Sequence, residues 1–376
     1  MDYASTMSRL VNSVLIRSTI GTSEPRYRHI SEILGKVASK TMHINWARSS
    51  EDANNLLNAN RKVFQLPAPY GGGVRNYLSH LRFQIFVFRT LWLLKPQVIY
   101  ACDLDTFIPS LIYRSVKPSI LVFDQFDPLS ARVDTRYVRK FLDCLEFSLV
   151  KKADIRVTAN ILRIPEDLRE TWVEIKNLFP LRLNDMNHRY KQGTFQLVYG
   201  GILSHDRGLM ELIRVIQEKS SWRIDVYGQG PVKEDLVLFS SSNVAIHEYL
   251  PHDQLMNRAQ SSDLYVALYD PSNLNNRLTA SNKLFEAAQL GVPLLTSKGT
   301  YLGDIVQKFK LGWAVSYGDS AEITKALDDF ASLSEIERFE ILDNLKNFFQ
   351  EETRGQLASI KELEHRITSM TNCGCK

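Results

Sequence analysis

Long apolar runs are what this 376-residue sequence most lacks. The most apolar stretch, 83–94, is too short to span a bilayer and contains Arg89. No membrane-crossing helix is expected. The first residues show no basic segment followed by an apolar one, which predicts a cytoplasmic protein without a secretory leader. Cysteine is scarce. Cys102 and Cys144 stand far apart, and Cys373 and Cys375 lie in the last four positions. That spacing fits neither a zinc site nor a disulfide framework, so free thiols in a reducing compartment are expected. Excess charge is small, +4, and no recognition motif accompanies it, which disfavours nucleic acid as a partner. Fixed-period repeats and low-complexity tracts are absent as well.

What is present is ordinary in amount and informative in order. Apolar residues make up 44% and charged residues 23%, enough for a sizeable core, and the length points to two domains. Residues 1–185 hold 26 Lys and Arg against 18 Asp and Glu; the remainder holds 20 against 24. A basic first half points to an anionic partner: a membrane surface, a phosphate-bearing acceptor or, disfavoured as above, nucleic acid. Short runs rich in β-branched and aromatic residues alternate with helix-length segments, the pattern of parallel sheets with crossover helices. Such runs are 14–17, 98–102, 120–123 and 155–158, then 195–199, 223–227, 245–247, 264–268 and 293–296. The polar stretch 182–193 reads as a linker. A helical pattern, interrupted by Gly355, occupies 334–367.

Ligands of open α/β sheets bind beyond the carboxyl ends of strands. The most informative segment there is SNKLFEAAQLGVPLLTS, 281–297. Ser281 or Asn282 can cap a helix that ends at Gly291, before Pro293. Lys283 and Glu286 share one face of its first turn. A helix start attracts phosphate, Lys283 adds charge for a diphosphate, and Glu286 can accept two ribose hydroxyls; a plain intrahelical pair is the alternative. In FQLVYGGILSHDRGL, Gly200 and Gly201 close a strand and Arg207 can reach a phosphate, or simply lie on the surface. DVYGQGP places Gly228 at another strand end, without the third glycine of a dinucleotide fingerprint. In the first half, Gly21 follows a strand, with Arg26 and Arg28 opening a helix. Asp103 and Asp105, and Asp124 and Asp127, lie at strand ends, where a carboxylate can act as base, cap a helix or form a turn. Residues 75–94 mix Arg75, Arg82 and Arg89 with aromatics; they fit an amphipathic helix on anionic lipid or a core helix with a basic edge.

Together these segments resemble the GT-B sugar-nucleotide glycosyltransferases, in particular the family-four type that includes bacterial polysaccharide and mannosyl transferases. SNKLFEAAQLGVPLL resembles that family's Lys-Leu-x-Glu helix followed by Gly-x-Pro-Val. YGGILSHDRG resembles its phosphate clamp, YGQGP its Gly-x-Gly-Pro strand end, and SEPRYRHISEIL its N-terminal loop and helix. KPQVIYACDLD and LEFSLVKKADIRVTAN resemble two further segments in the same order. The resemblance implies two Rossmann-like parallel-sheet domains with a cleft between them. Residues 1–188 would bind the acceptor and 189–333 the nucleotide sugar, with helix 334–367 packing back on the first. It implies transfer from a nucleotide sugar, UDP-sugars foremost, to a saccharide or lipid-linked acceptor, with no cofactor and no metal. Asp127, Arg207 and Lys283 would be catalytic. Gly200, Gly201, Gly228, Tyr249, Leu250, Asn282, Leu284 and Glu286 would join Arg207 and Lys283 around the donor. Gly21, Arg26, Asp103 and Asp105 would line the acceptor side. The sequence departs from the family pattern at three places. Leu278 stands where the first of two paired glutamates is usual, Gly201 where a clamp arginine is, and Phe126 where a histidine is. Retaining and inverting chemistry both stay open. So do a sugar-nucleotide epimerase or hydrolase and a non-catalytic subunit of a glycosylation complex.

Overall fold

The computed structural model describes residues 12–21, 24–49, 60–67, 74–128, 136–178 and 193–373. The chain divides into two units, Met1–Lys176 with Gln356–Lys376, and Asn177–Gly355. Most of the expected linker, 182–192, lies outside the described residues.

Unit 1 contains β1 (Asn12–Arg17), α1 (Pro25–Val37), β2 (Lys40–Ala47), β3 (Arg61–Gln65), α2 (Val74–Leu94), β4 (Val98–Cys102) and α3 (Leu104–Arg114). It continues with β5 (Ile120–Gln125), α4 (Arg136–Val150), β6 (Ile155–Thr158) and β7 (Trp172–Glu174). Among the described residues these strands form one parallel sheet in the order β3-β2-β1-β4-β5-β6-β7. Side chains alternate between its faces as strand geometry demands. Val14, Ile16, Ile99 and Ala101 pack with Phe83, Val87 and Leu91 of α2 and Phe107 of α3. Leu15, Val98, Tyr100 and Cys102 pack on the other face with Ile30, Ile33 and Leu34 of α1 and with Leu363 and Ile367. The order reverses between β1 and β4, so the crevice beyond their carboxyl ends is where such a sheet accepts ligands.

Unit 2 repeats the scheme. Its elements are β8 (Phe195–Ile202), α5 (Leu209–Gln217), β9 (Trp222–Gln229), α6 (Lys233–Val237), β10 (Val244–His247), α7 (His252–Gln260) and β11 (Leu264–Ala267). They continue with α8 (Leu274–Leu278), α9 (Asn282–Leu290), β12 (Leu294–Ser297), α10 (Tyr301–Phe309), β13 (Gly312–Val315) and α11 (Ser320–Ser332). The parallel order is β10-β9-β8-β11-β12-β13, reversing between β8 and β11. α5 and α11 cover one face; α7, α9 and α10 cover the other.

The last helix, α12 (Glu335–Cys373), starts in unit 2 and finishes in unit 1. The interruption expected at Gly355 is absent: the helix runs straight through it. Four strands were not anticipated. β2 carries His43 and Asn45 inward, and these buried polar groups break the apolar run. They are satisfied within unit 1 by residues from other elements, Asn45 Nδ2 donating to the Thr19 carbonyl and Tyr27 Oη lying 2.8 Å from His43 Nδ1. β3 is a polar edge strand, β7 has three residues, and β13 is only partly buried.

Candidate functional site

In unit 2, Gly201, Arg207 and Lys283 of the expected donor residues lie near the reversal between β8 and β11. α9 forms as its sequence dictates: Ser281 Oγ accepts the Lys283 N–H, and Gly291 closes the helix at φ 69° with its N–H on Ala287 and Ala288. The helix start faces the end of β8. Lys283 Nζ lies 5.3 Å from the Tyr199 ring centre, and a Cβ added to Gly201 would sit 3.2 Å from that ammonium. Arg207 ends a short turn ahead of Gly208, with its guanidinium 4.7 Å from the Tyr269 ring centre. Its Nη1 donates to Asn276 Oδ1 at 2.9 Å and lies 3.3 Å from Asp206. Tyr269 Oη and Ser281 Oγ, 2.8 Å apart, tie the strand end to the helix start. Lys283 and a helix N-terminus therefore meet beside Gly201 near the end of β8, with the Arg207 charge acting on Lys283, an arrangement suited to a diphosphate.

Burial disfavours the Lys283 ammonium, but Tyr269, Tyr199 and Glu286 outweigh it and its pKa lies above the ordinary lysine value. Burial raises the Tyr199 hydroxyl to about 12, with Lys283 opposing. Glu286 differs from the expectation of an open ribose acceptor. It is 5% exposed; Tyr265 Oη donates to Oε2 at 2.8 Å and His252 Nε2 lies 3.1 Å from Oε1. Burial would raise its pKa, yet the His252 contact, the Lys283 charge and the Tyr265 bond hold it below the usual carboxylate value. Any ribose must share this carboxylate with the two partners it already holds.

The remaining donor-side residues fall into three groups. Gly201 and Gly228 are cross-strand partners; a Cβ on Gly228 would meet the Gly201 carbonyl oxygen at 1.9 Å. A Cβ on Gly200 would meet the Leu255 side chain of α7 at 2.3 Å, so α7 packs closely on this glycine. Leu284 is core, Asn282 opens α9, Leu250 packs against the α7–α9 face and Tyr249 stands exposed after β10. Tyr265, Tyr269, His252 and Asn276 were not foreseen. The signal available was the pair of tyrosines in DLYVALYD, since a buried tyrosine hydroxyl needs a partner.

In unit 1 the carboxylates gather at the reversal between β1 and β4. Asp103 sits at the N-cap of α3 with φ 65° and ψ 167°, and makes no side-chain cap bond. Its Oδ1 instead accepts the N–H groups of Phe126 (2.8 Å) and Asp127 (2.9 Å), and its Oδ2 accepts Arg17 Nη1 at 2.5 Å. Arg17 also holds Glu24, ahead of α1. Burial pushes the Asp103 carboxyl up to about 7, Arg17 opposing and Asp127 and Asp105 reinforcing. Asp127 is exposed at the end of β5. Asp105 lies 3.4 Å from His80, and Gly21 turns the chain at φ 66° against Tyr27. Arg26 does not present its guanidinium to a ligand: it is 0% exposed, 3.4 Å from Asp124 and donating to the Gln125 carbonyl.

Residues 195–332 match the family model described as Glycosyl transferases group 1. Sucrose-phosphate synthase from Thermosynechococcus elongatus superposes with a TM-score of 0.70 at 10% identity, over 96% of this chain and 100% of that one. Anabaena HepE in complex with UDP-glucose gives 0.68 at 15%, over 95% and 99%. The chain has the GT-B fold. A third GT-B neighbour is the lipopolysaccharide outer core galactosyltransferase WaaB, at 0.62 and 12%, over 95% and 99%. Within this GT-B chain the group 1 match falls on unit 2, which holds Arg207, Lys283 and Glu286. No curated protein matches the sequence.

Proposed function

We propose that this protein transfers a sugar from a nucleotide sugar, UDP-sugars foremost, to a saccharide or lipid-linked acceptor in cell-surface glycan synthesis. The observation that carries this reading is Lys283 set beside Gly201 near the end of β8, with the Arg207 charge acting on Lys283 and Tyr199. A departing nucleoside diphosphate builds up negative charge, and fixed cations at that point lower the barrier without needing a metal ion. Glu286, held by His252 and Tyr265, would meet the ribose, and Tyr249 and Leu250 would lie near the base. UDP-glucose is the first donor to try because the HepE structure of the same fold contains it. Asp127 would take the proton of the acceptor hydroxyl, or orient it, with Gly21 and Asp105 on the same side of unit 1.

A thermal-shift screen of UDP-, GDP- and ADP-glucose tests the reading, because a ligand of the folded state raises the melting temperature with its concentration over Kd. Lys283→Ala should weaken binding of the selected nucleotide sugar by about 1.5–3 kcal/mol, the worth of a charge-assisted bond. Calorimetry that finds equal affinity in the folded variant would overturn the donor site.

Unit 1 would rest on an anionic bilayer. Among the described residues no helix is long and apolar enough to cross a membrane. α2 buries Phe83, Val87 and Leu91 but leaves Leu78, Leu81, Ile85, Trp92 and Leu93 exposed. It contains no Asp or Glu, and Arg82 and Arg89 lie on the outer side. Such a surface suits the boundary of an anionic lipid layer. The protein should sediment with phosphatidylglycerol vesicles at low salt and not with phosphatidylcholine vesicles. Arg82→Ala with Arg89→Ala should cut partition about 30-fold, at roughly 1 kcal/mol per charge. Equal sedimentation with both lipids would remove the proposal.

A further inference from the structure

We infer that Asp103 is a positioning residue for Asp127: its carboxylate fixes the Phe126–Asp127 turn across the sheet edge so that the Asp127 side chain is aimed at the acceptor. This rests on the acceptor-side role proposed for Asp127.

The backbone is the first argument. Asp103 occupies φ 65°, ψ 167°, a region that glycine fills without penalty and other residues enter at a cost of about 1–3 kcal/mol. Helix capping does not account for the aspartate, because its side chain makes no bond to the first turn of α3. It reaches instead to another loop, where one oxygen holds two successive N–H groups, those of Phe126 and Asp127.

The second argument is how completely the turn is held. Arg163 Nη1 donates to the Phe126 carbonyl at 3.0 Å. The Phe126 ring lies between the guanidinium groups of Arg17 and Arg26, 3.8 and 3.6 Å from its centre. Everything that fixes the turn is internal or half-buried, while Asp127 alone is exposed. The charged groups facing Asp103 are Arg17 from β1, Asp105 from α3, Asp127 after β5 and Arg163 after β6, with Glu24 joined through Arg17. The three hydrogen bonds to the Asp103 carboxylate all come from donors, so its ionised form is the one the contacts fit.

Two variants separate positioning from plain stability. Asp103→Gly suits the backbone and removes the carboxylate; Asp103→Asn keeps the shape and never ionises. Turnover is read as nucleotide release from UDP-glucose, or from whichever of the three donors stabilises the protein, with water taking the glucosyl group in place of the acceptor hydroxyl and free glucose as the second product. Both variants should lose about 10²-fold in kcat, with the KM for the donor and the melting temperature of the glycine variant nearly unchanged. Wild-type kcat should fall as pH drops through about 7, and the asparagine variant should lack that limb. The stability signature has the opposite sense. A raised carboxyl favours the folded state below its unfolded value near 4 and loses that share as pH rises through 7; asparagine abolishes the slope. If Asp103 variants keep kcat while Asp127→Asn loses it, the inference is wrong and the function stands. If Asp127→Asn keeps kcat, or wild type turns over none of the donors, the functional reading itself falls and takes the inference with it.

Discussion

Asp127→Asn is expected to slow sugar transfer by about 10²–10⁴-fold, the usual contribution of a positioned proton acceptor. The change is small in shape. The backbone N–H of residue 127 would still reach Asp103 Oδ1, so the turn should persist. Phe126, packed under Arg17 and Arg26, is untouched. What disappears is the carboxylate's capacity to accept a proton, together with the negative charge it sets against Asp103, Arg17 and Arg163. Donor affinity should be unaltered, because Arg207, Lys283 and Glu286 belong to unit 2. The check is an initial-rate measurement at saturating donor beside a calorimetric titration of the same donor. Unchanged kcat would remove Asp127 from the chemistry, and a parallel loss of donor affinity would point to misfolding.

Gly228→Ala should damage the protein more broadly. The added methyl group would lie 1.9 Å from the Gly201 carbonyl oxygen, which is backbone and has nowhere to rotate. Residues 195–202 of β8 pair one to one with 222–229 of β9, so the two strands must part where their glycines face. Overpacking against a soft side chain costs about 1–3 kcal/mol; against a rigid ladder the upper end or beyond is expected. For a domain of this size that corresponds to a fall in melting temperature of roughly 6–12 °C. Gly35→Ala is the contrast, since Gly35 is exposed within α1 with nothing near its missing Cβ, and alanine there should stabilise by about 0.5–1 kcal/mol. If both variants melt alike, close packing of β8 on β9 is not what Gly228 provides.

Much of this was legible before any coordinates. β4 coincides with the run 98–102, because a strand buried on both faces is apolar throughout, and β6 coincides with 155–158, where Ile155 and Val157 are buried and Arg156 is partly exposed. α9 was readable from both ends, since Ser281 and Gly291 are residue types whose conformational preferences start and stop helices. β2 was not, because Asn45 and His43 find partners in residues distant along the chain. The partners of Glu286 were hidden for the same reason: His252 and Tyr265 arrive from separate elements, 34 and 21 positions away. Asp103 shows the limit most sharply. Its place before a helix predicts a cap, and only the fold shows its carboxylate turned to a different loop.

The final helix carries a consequence for biosynthesis. Leu363 and Ile367 complete the core on the α1 face of unit 1, yet they are translated after every residue of unit 2. A nascent chain emerging from the ribosome would therefore hold Ile30, Ile33 and Leu34 incompletely covered throughout the synthesis of unit 2. Unit 2 can finish folding first, and the α1 face of unit 1 closes only once Leu363 and Ile367 have emerged, which inverts the usual order for a two-domain chain.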